Sequence, residues 1–511
     1  MSETIRKPEA RRYFAGYLGG KMIGLFAVIA AIWAFTMTFS GVAGAAVLHQ
    51  AAVKAQDVVN PVNTGWVLVT AFLVFFMQAG FMMLEGGFAR TREVSNVMIE
   101  CIADTAMCGM LFWAFGFAFM FGTGNGWIGY HQFFLQGAPH TYGTTGVAFL
   151  AFFLFQFAFA DTASTIVSGA MVGRTKFRGD LMYSIALSGF IYPIFGHWAW
   201  GPNGWLATMS TPFHDFAGST VVHTIGGVLA LTGAIALGPR VGRKFKRDGG
   251  GMPPGHNMTL AALGGVILWF GWYGFNPGST LSLMDFEGVG RIATNTTLAA
   301  CAACLVAIAW VWPRSKKFDV GISINGLLAG LVAITCPCYW VSPFGAICIG
   351  AIAGVIVVLA VDFTEWIRVD DPCGAFAVHG VCGIWGTLSL GLFAAGLYGA
   401  PTPTGADNST VVTGLFYGGG THQLVAQIIG SAAIGGATLA AGLFIMYLLK
   451  WTRELRITEA QEIEGLDIVE HGAPAYHNEP AYEGYSPIPA AKSNGGSRTT
   501  VDAPLTGALR E

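Results

Sequence analysis

The sequence predicts an all-α integral membrane protein with eleven transmembrane helices, built from two inverted five-helix repeats and an eleventh helix. Three observations predict this class. The chain of 511 residues is only 11% charged and 53% hydrophobic, with 71 glycines, which is far too apolar for a soluble chain of this length. Apolar segments of about 20 residues recur along the chain. One short motif also occurs twice, five segments apart.

The apolar segments define the predicted spans. A spanning helix needs about 20 mostly apolar residues, because backbone polar groups in lipid must bond within their own segment. The segments that meet this requirement are 65–84, 97–122, 146–172, 182–200, 219–238, 259–277, 293–313, 319–337, 344–361, 375–396 and 420–449. We therefore expect a first repeat over 65–240, an inverted second repeat over 259–396 and an eleventh helix at 420–450.

Loop charges predict the orientation, since short cytoplasmic loops carry an excess of Lys and Arg. Loops on one side offer only Lys54 and Arg291. The loops after odd-numbered spans carry Arg90, Arg92, Arg174, Lys176, Arg178, Arg240, Arg243, Lys244, Lys246, Arg247, Arg314, Lys316, Lys317, Arg368, Lys450, Arg453 and Arg456. This asymmetry predicts a multi-pass protein of the plasma or inner membrane with a cytoplasmic C-terminus.

The two ends of the chain lie outside the predicted bundle. Residues 1–50 combine a basic start with a long apolar run and Ala43-Gly44-Ala45, which fits a cleaved signal peptide; a retained extra span is the competing interpretation. Residues 451–511 turn polar and charged, which is typical of a cytoplasmic tail.

The repeated motif places an Asp eight residues before a His. It runs from Asp215 to His223 at the start of span five and from Asp371 to His379 at the start of span ten. An Asp at a helix start caps free N–H groups and meets the positive end of the helix dipole. Because five is an odd number of spans, the second copy must be inverted. Eight residues rise about 12 Å, which carries both histidines from opposite mouths toward the bilayer centre.

A lone histidine in an apolar helix is usually a hydrogen-bonded packing residue, and this interpretation is preferred for His197. For His223 and His379 a functional role is preferred over packing, because the two residues are related by the internal repeat. Ionisable groups inside a membrane are also energetically costly and tend to mark transport pathways. Two meeting imidazoles would fix complementary tautomers and offer a donor and an acceptor to a small polar molecule. We therefore expect both rings to line a pore.

These residues belong to segments that closely resemble ammonium transporters of the Amt/Mep/Rh family, Amt branch, from about residue 65 to 475. The matching segments are Gln78 to Glu85, Thr165 to Ala170, Asp215 to His223, Gly271 to Ser279, and Asp370 to Gly383. The resemblance implies ammonium uptake through a hydrophobic pore, in which the cation is recruited and deprotonated and ammonia passes twin histidines.

The resemblance also implies roles for single residues. His223 and His379 match the twin histidines of the pore. Phe159 and Phe275 match the stacked phenylalanine gate. The outer ammonium vestibule is matched by Trp200, Ser279, Phe159 and the supporting Asp215. Each has a simpler structural alternative, such as an interfacial anchor for Trp200. Only the joint match favours the functional interpretation.

Partners implied by the resemblance are ammonium or ammonia, with methylammonium as an analogue, membrane lipid, two further copies in a homotrimer, and a PII-type signal protein at the tail. We expect no cofactor, no metal site and no enzyme activity, and the net charge of −2 argues against nucleic acid. An ammonium sensor with little transport is the alternative function. Electrogenic and electroneutral transport both stay open. Asp161 has no assigned role, and Asp104 and Glu85 are expected to be structural hydrogen-bonding groups.

Overall fold

The computed structural model describes residues 54–399 and 411–476. The chain divides into two units, residues 1–61 and residues 62–511, and the first contributes only 54–61 to the described part. The predicted signal peptide or extra span at 1–50 lies outside the described residues, as does the tail beyond 476.

The first half of the chain supplies five helical segments. Segment α4 is helical over 177–200, with the π turn Leu187–Ile191 between Phe177–Ala186 and Tyr192–Trp200. A small antiparallel hairpin of β1 (Thr141–Tyr142) and β2 (Val147–Ala148) immediately precedes the helix that begins at Phe149. The other four segments are α1 (Ala55–Phe88), α2 (Val94–Phe121), α3 (Phe149–Gly169) and α5 (Ser219–Leu237).

The second half supplies five more segments, followed by an eleventh and a short tail. These are α6 (Met258–Gly278), α7 (Phe286–Ser315), α8 (Val320–Thr335), α9 (Pro343–Trp366), α10 (Phe376–Phe393) and α11 (His422–Trp451). Two short helices, α12 (Glu459–Glu464) and α13 (Leu466–His471), lie in the tail. Every segment predicted to span is therefore helical.

The multi-pass all-α class is confirmed. Within the described residues, nine helices are long and apolar enough to cross a membrane. Of the remaining two segments, α8 is apolar but shorter, and α4 falls outside that group of nine. The count of eleven spans thus remains a prediction.

Helix ends differ from the predicted ones where capping groups extend a helix. Segment α7 begins at Phe286 rather than 293, because Asp285 accepts a hydrogen bond from the Gly288 N–H at 3.1 Å. The first turns of α7 contain polar residues, so a search for long apolar segments does not detect the true start of this helix.

Glycines allow α5 and α10 to cross in close backbone contact. A Cβ added to Gly227 of α5 would lie 2.1 Å from the backbone nitrogen of Gly380 in α10. A Cβ at Gly383 would lie 2.5 Å from the carbonyl oxygen of Ser219. Small residues permit such approaches between membrane helices. This crossing brings the two copies of the repeated motif together.

The tail packs on the loops that follow α3 and α5. The Lys176 N–H donates to the Leu455 carbonyl at 3.0 Å, and the Ile457 N–H donates to the Arg174 carbonyl at 3.2 Å. The Val241 N–H donates to the Glu462 carboxylate at 2.7 Å. These loops and residues 452–476 therefore share one face of the bundle, which we call the tail side.

Candidate functional site

The two histidines of the repeated motif lie on matching π turns. His223 lies in Ser219–Thr224 at the start of α5, and His379 lies in Phe376–Val381 at the start of α10. Their Nδ1 atoms are 3.2 Å apart, and their ring centroids are separated by 5.2 Å. Both rings are buried. π turns are uncommon and frequently occur at functional sites.

The contact between the two Nδ1 atoms determines what the pair can offer. One ring must donate and the other accept, so a neutral pair contains one of each tautomer. The free Nε2 atoms are then an acceptor on one ring and an N–H donor on the other. Among the described residues, His223 Nε2 has no hydrogen-bonding partner. The pair can therefore exchange hydrogen bonds with a small polar molecule.

The aspartates of the motif cap the starts of the two helices. The Asp215 carboxylate accepts from the backbone N–H groups of Gly218, Ser219, Thr220 and Val221 at 2.8–3.0 Å. Burial raises the pKa of Asp215 to about 6, and these four bonds oppose the rise. The Asp215 carbonyl also accepts from Trp200 Nε1 at 2.7 Å, which fixes the indole.

Asp371 repeats this arrangement at the tail side. Its carboxylate accepts from the N–H groups of Ala375 and Phe376, each at 2.9 Å. Burial raises the pKa of Asp371 to about 6, against the same kind of backbone bonds. Both copies of the motif therefore use the Asp to set the helix start that carries the histidine.

Aromatic rings form a column between Trp200 and the histidines. The Trp200 and Phe159 rings meet edge to face, with centroids 6.2 Å apart. Phe159 stacks on Phe275 at 4.0 Å and 24°. Phe275 in turn stacks on His223 at 5.4 Å, and Trp272 flanks the same imidazole at 5.1 Å. The two stacked phenylalanines therefore lie between Trp200 and the histidine pair.

A cavity of about 20 Å³ lies at the Trp200 end of this column. That volume holds about one water-sized molecule. The Ser279 hydroxyl donates to the Phe275 carbonyl at 2.8 Å, so its oxygen remains an acceptor toward the cavity. Gln156 Oε1 is buried and has no partner among the described residues. The cavity is lined by Phe155, Gln156, Phe159, Trp200, Phe216, Ser279 and Leu281. Aromatic faces and oxygen acceptors together suit a small cation that carries N–H groups.

A second cavity of about 20 Å³ lies beyond the pair, toward the tail side. His379 lines it together with Glu85 of α1 and Asn325 of α8. The column therefore runs from a cavity rich in aromatic rings, through two stacked phenylalanines and two imidazoles, to a cavity that contains a carboxyl group.

The structure brings together most of the residues predicted for the site. Trp200, Phe159 and Ser279 share the first cavity, and Phe275 joins Phe159 in the stack. Asp215 lies outside the cavity wall and acts on it through Trp200. Within residues 54–399 and 411–476, no cluster of three or more His, Cys, Asp or Glu side chains could hold a metal ion.

Sequence reasoning missed several residues of the cavity walls and one, Trp272, of the aromatic column. The sequence signals that could have found them are weak: a Gln or an Asn within an apolar span, and aromatic residues one to four positions from predicted site residues. The missed residues are Phe155, Gln156, Phe216, Trp272 and Asn325.

The acidic residues inside the predicted spans are Asp161, whose role the sequence left open, and Asp104 and Glu85, which were expected to be structural; all three are hydrogen-bonded to neighbouring helices. Asp161 accepts from the Thr105 hydroxyl at 3.2 Å, and Asp104 accepts from the Ser184 hydroxyl. Neither residue lines the two cavities. Glu85 accepts from the Ser168 hydroxyl at 2.8 Å but also faces the second cavity.

Comparisons with known proteins point to one family. Residues 65–476 match the Ammonium Transporter Family. The chain is 44% identical over 448 residues to Ammonium transporter Amt2 of Archaeoglobus fulgidus, covering 86% of this chain and 92% of that protein. It is 38% identical to Ammonium transporter 1 member 1 of Arabidopsis thaliana, covering 77% of this chain and 81% of the relative.

Solved structures agree with these sequence relatives. The fold is similar to a protein described as Sensor Amt Protein, with a TM-score of 0.73, 36% identity, and coverage of 81% of this chain and 100% of that chain. It is also similar to Mep2 of Saccharomyces cerevisiae, with a TM-score of 0.70, 25% identity, and coverage of 80% and 92%.

Proposed function

We propose, from the premise that this chain belongs to the Ammonium Transporter Family, that it takes up ammonium across a cell membrane through the column described above. The observation that carries this proposal is the placement of paired imidazoles between two cavities, each large enough for one small molecule. The aromatic cavity faces outward and the tail side faces the cytoplasm in this proposal.

Recruitment takes place in the aromatic cavity. Ammonium must shed water to enter it, and contacts with desolvated aromatic faces return about 2 kcal/mol each. Ser279 and Gln156 offer oxygen acceptors for two of the four N–H bonds, while Trp200 and Phe159 supply ring faces. The site thereby favours a small cation that donates hydrogen bonds.

The stacked phenylalanines separate this site from the histidines. Phe159 and Phe275 offer no polar group that could replace the hydration shell of an ion. Desolvation of the charged form is therefore energetically costly there. Ammonium can transfer a proton to water at the outer mouth and continue as ammonia, whereas potassium has no proton to lose. Deprotonation before the gate therefore provides the discrimination.

The imidazoles guide ammonia beyond the gate. One free Nε2 acceptor and one Nε2–H donor match a molecule that both donates and accepts hydrogen bonds. Neutral rings are required, because a fixed cation in this dry passage would repel protonated substrate and lose its own hydration. Whether the released proton crosses separately decides between electrogenic and electroneutral transport.

The assembly and its partners follow from the family resemblance. We propose a homotrimer with one pore per subunit, surrounded by lipid, and docking of a PII-type signal protein at the tail side. An ammonium sensor would need the same outer cavity and is the competing function. It ranks second because the column continues past the outer cavity to a second cavity on the tail side, which recognition alone does not require.

The test is ammonium-driven current and methylammonium uptake in sealed proteoliposomes, with potassium as the competing cation. His379→Leu is expected to reduce both signals to background while the protein remains monodisperse. His140→Leu, which replaces an exposed histidine outside the column, is the matched control and should retain wild-type uptake. Normal methylammonium uptake by His379→Leu would refute the role of the pair, and a wild type that binds ammonium without uptake would favour the sensor.

A further inference from the structure

The cavity beyond His379 is small, and few of its wall residues are polar. Its volume of about 20 Å³ accommodates one molecule the size of water or ammonia. Phe81, Leu84 and Ile166 contribute apolar surface, and the polar contributions come from Glu85, Asn325, Cys373 and His379. A molecule that leaves the histidine pair toward the tail side therefore meets these groups first.

Asn325 presents an unsatisfied acceptor at this point. Its Nδ2 group donates to the Cys373 carbonyl at 3.2 Å, which fixes the amide. Its Oδ1 atom is buried and has no hydrogen-bonding partner among the described residues, and the residue as a whole is only 6% exposed. Buried polar atoms are nearly always paired, so this oxygen indicates an occupant with an N–H or O–H donor.

Glu85 is the only carboxylic acid in the cavity wall. It lies in the last turn of α1, is 2% exposed, and is held through Oε2 by the Ser168 hydroxyl at 2.8 Å. The sequence favoured a purely structural role for this residue. Glu85 shares the cavity with His379, and this position suits a second role in proton exchange. A carboxyl group at the end of a pore for neutral molecules can exchange a proton with each arriving molecule.

We propose that this cavity is a second ammonium site, where Glu85 returns a proton to ammonia that has passed His379 and Asn325 Oδ1 accepts one of the N–H bonds. This inference rests on the proposed transport function and deepens it. It assigns a proton-exchange group and a ligand to the tail-side end of the pathway.

This proton exchange needs no reagent other than the cytoplasmic water and its hydrated protons. The ammonia lone pair takes the proton of the neutral Glu85 carboxyl, so that an N–H bond forms and an O–H bond breaks. The products are ammonium and the Glu85 carboxylate. A hydrated proton from the cytoplasmic water then restores the carboxyl group, and the reverse sequence describes efflux.

A larger cavity lies next to the proposed site on the tail side. Asn325 also lines a larger cavity of about 440 Å³, whose walls include Met252, Lys317 and Gly374. Asn325 therefore contacts both cavities, and in this proposal the larger one receives the ammonium formed at Glu85. The titratable groups that face Glu85 from the surrounding elements are Glu100 and Cys101 of α2, Asp180 of α4, Cys373 before α10, and His379 of α10.

Glu85→Gln tests the assignment, because it keeps the size of the side chain and an acceptor for Ser168 but cannot exchange a proton. We expect the ammonium uptake rate of proteoliposomes to fall at least about tenfold, and the dependence of that rate on internal pH to flatten. Binding of methylammonium at the outer cavity should not change. Asp161→Asn is the matched control: it alters another buried carboxyl group of the same helix bundle outside the cavity, and it should behave as wild type.

Two further variants keep the inference testable if Glu85→Gln does not fold. Glu85→Asp should restore the dependence on internal pH at a reduced rate, and Asn325→Leu should lower the rate while retaining that dependence. Wild-type rates and pH profiles in the Glu85 variants, alongside an inactive His379→Leu, would overturn this inference and leave the proposed function intact. Absence of ammonium uptake in the wild type would instead overturn the proposed function itself.

Discussion

Asp370→Asn is expected to destabilise the protein strongly, because it removes a negative charge from a buried ion-pair network. Asp370 lies between α9 and α10, one residue before the cap that begins α10. Its carboxylate accepts from Arg240 Nε at 2.8 Å and Arg240 NH2 at 2.9 Å, and from Arg243 Nε at 3.2 Å. Arg243 also pairs with Glu365. The substitution therefore leaves two guanidinium groups with one carboxylate.

The magnitude follows from burial. The Arg240 side chain is 6% exposed, and those of Arg243 and Asp370 are 1% and 0% exposed. Removal of one partner from a buried ion pair costs about 3–5 kcal/mol, because the remaining charge stays desolvated. Glu365 still compensates Arg243, so we expect the lower end of this range for the loss in free energy of unfolding.

The same contacts predict how the effect depends on pH. Burial alone would raise the pKa of Asp370, but the hydrogen bond from Arg240 and the charges of Arg174 and Arg240 hold it well below its ordinary value. A depressed pKa in the folded state means that the stabilisation is complete above the unfolded-state pKa of about 4 and is lost as the pH falls further. The difference between wild type and variant should therefore be constant near neutral pH and shrink in acid.

Thermal unfolding in detergent, followed by loss of the monodisperse peak, measures this prediction. Asp248→Asn is the matched control, because it makes the same chemical change in the exposed ion pair with Arg368, whose side chains are 34% and 52% exposed. Exposed pairs contribute little to stability. Equal melting temperatures for Asp370→Asn and wild type, or an equal loss in both variants, would refute the reasoning.

Two further predictions concern the outer cavity and the gate. Trp200→Leu should weaken apparent ammonium affinity by about 2 kcal/mol, or roughly 30-fold, through loss of a desolvated cation–π contact; concentration dependence of uptake measures it, and the exposed Trp127→Leu serves as control. Phe275→Ala removes the 4.0 Å stack with Phe159 and should lower the selectivity for ammonium over potassium in current measurements. Unchanged selectivity would mean that the stack does not act as a gate.

Much of the fold could be predicted from sequence, because helices that cross lipid must be long and apolar, and such segments are recognisable in the sequence. The repeated Asp and His positions similarly indicated that His223 and His379 meet. The second cavity could not be predicted, since Glu85 and Asn325 belong to distant helices and share a wall only after α1, α8 and α10 pack. For Asp215 the sequence predicted a helix cap and the resemblance added a supporting role in the ammonium vestibule; in the structure its carboxylate forms the cap. A cap turned toward four backbone N–H groups and a side chain facing a ligand look the same in a sequence.

The repeated Asp–His motif and its unlike surroundings account for two chemically different ends of the proposed pathway. Both copies supply the same local structure, an Asp cap followed by a π turn that carries a histidine, so the centre is nearly symmetric. The surroundings are not repeated: Asp215 anchors Trp200 at one mouth, whereas Glu85 and Asn325 lie beyond His379 at the other. An aromatic mouth favours capture of a cation, and a carboxyl group with an open acceptor favours its formation again from ammonia. Under the proposed function, the symmetric centre therefore needs to conduct only the neutral molecule, and the asymmetric ends bind and form the cation.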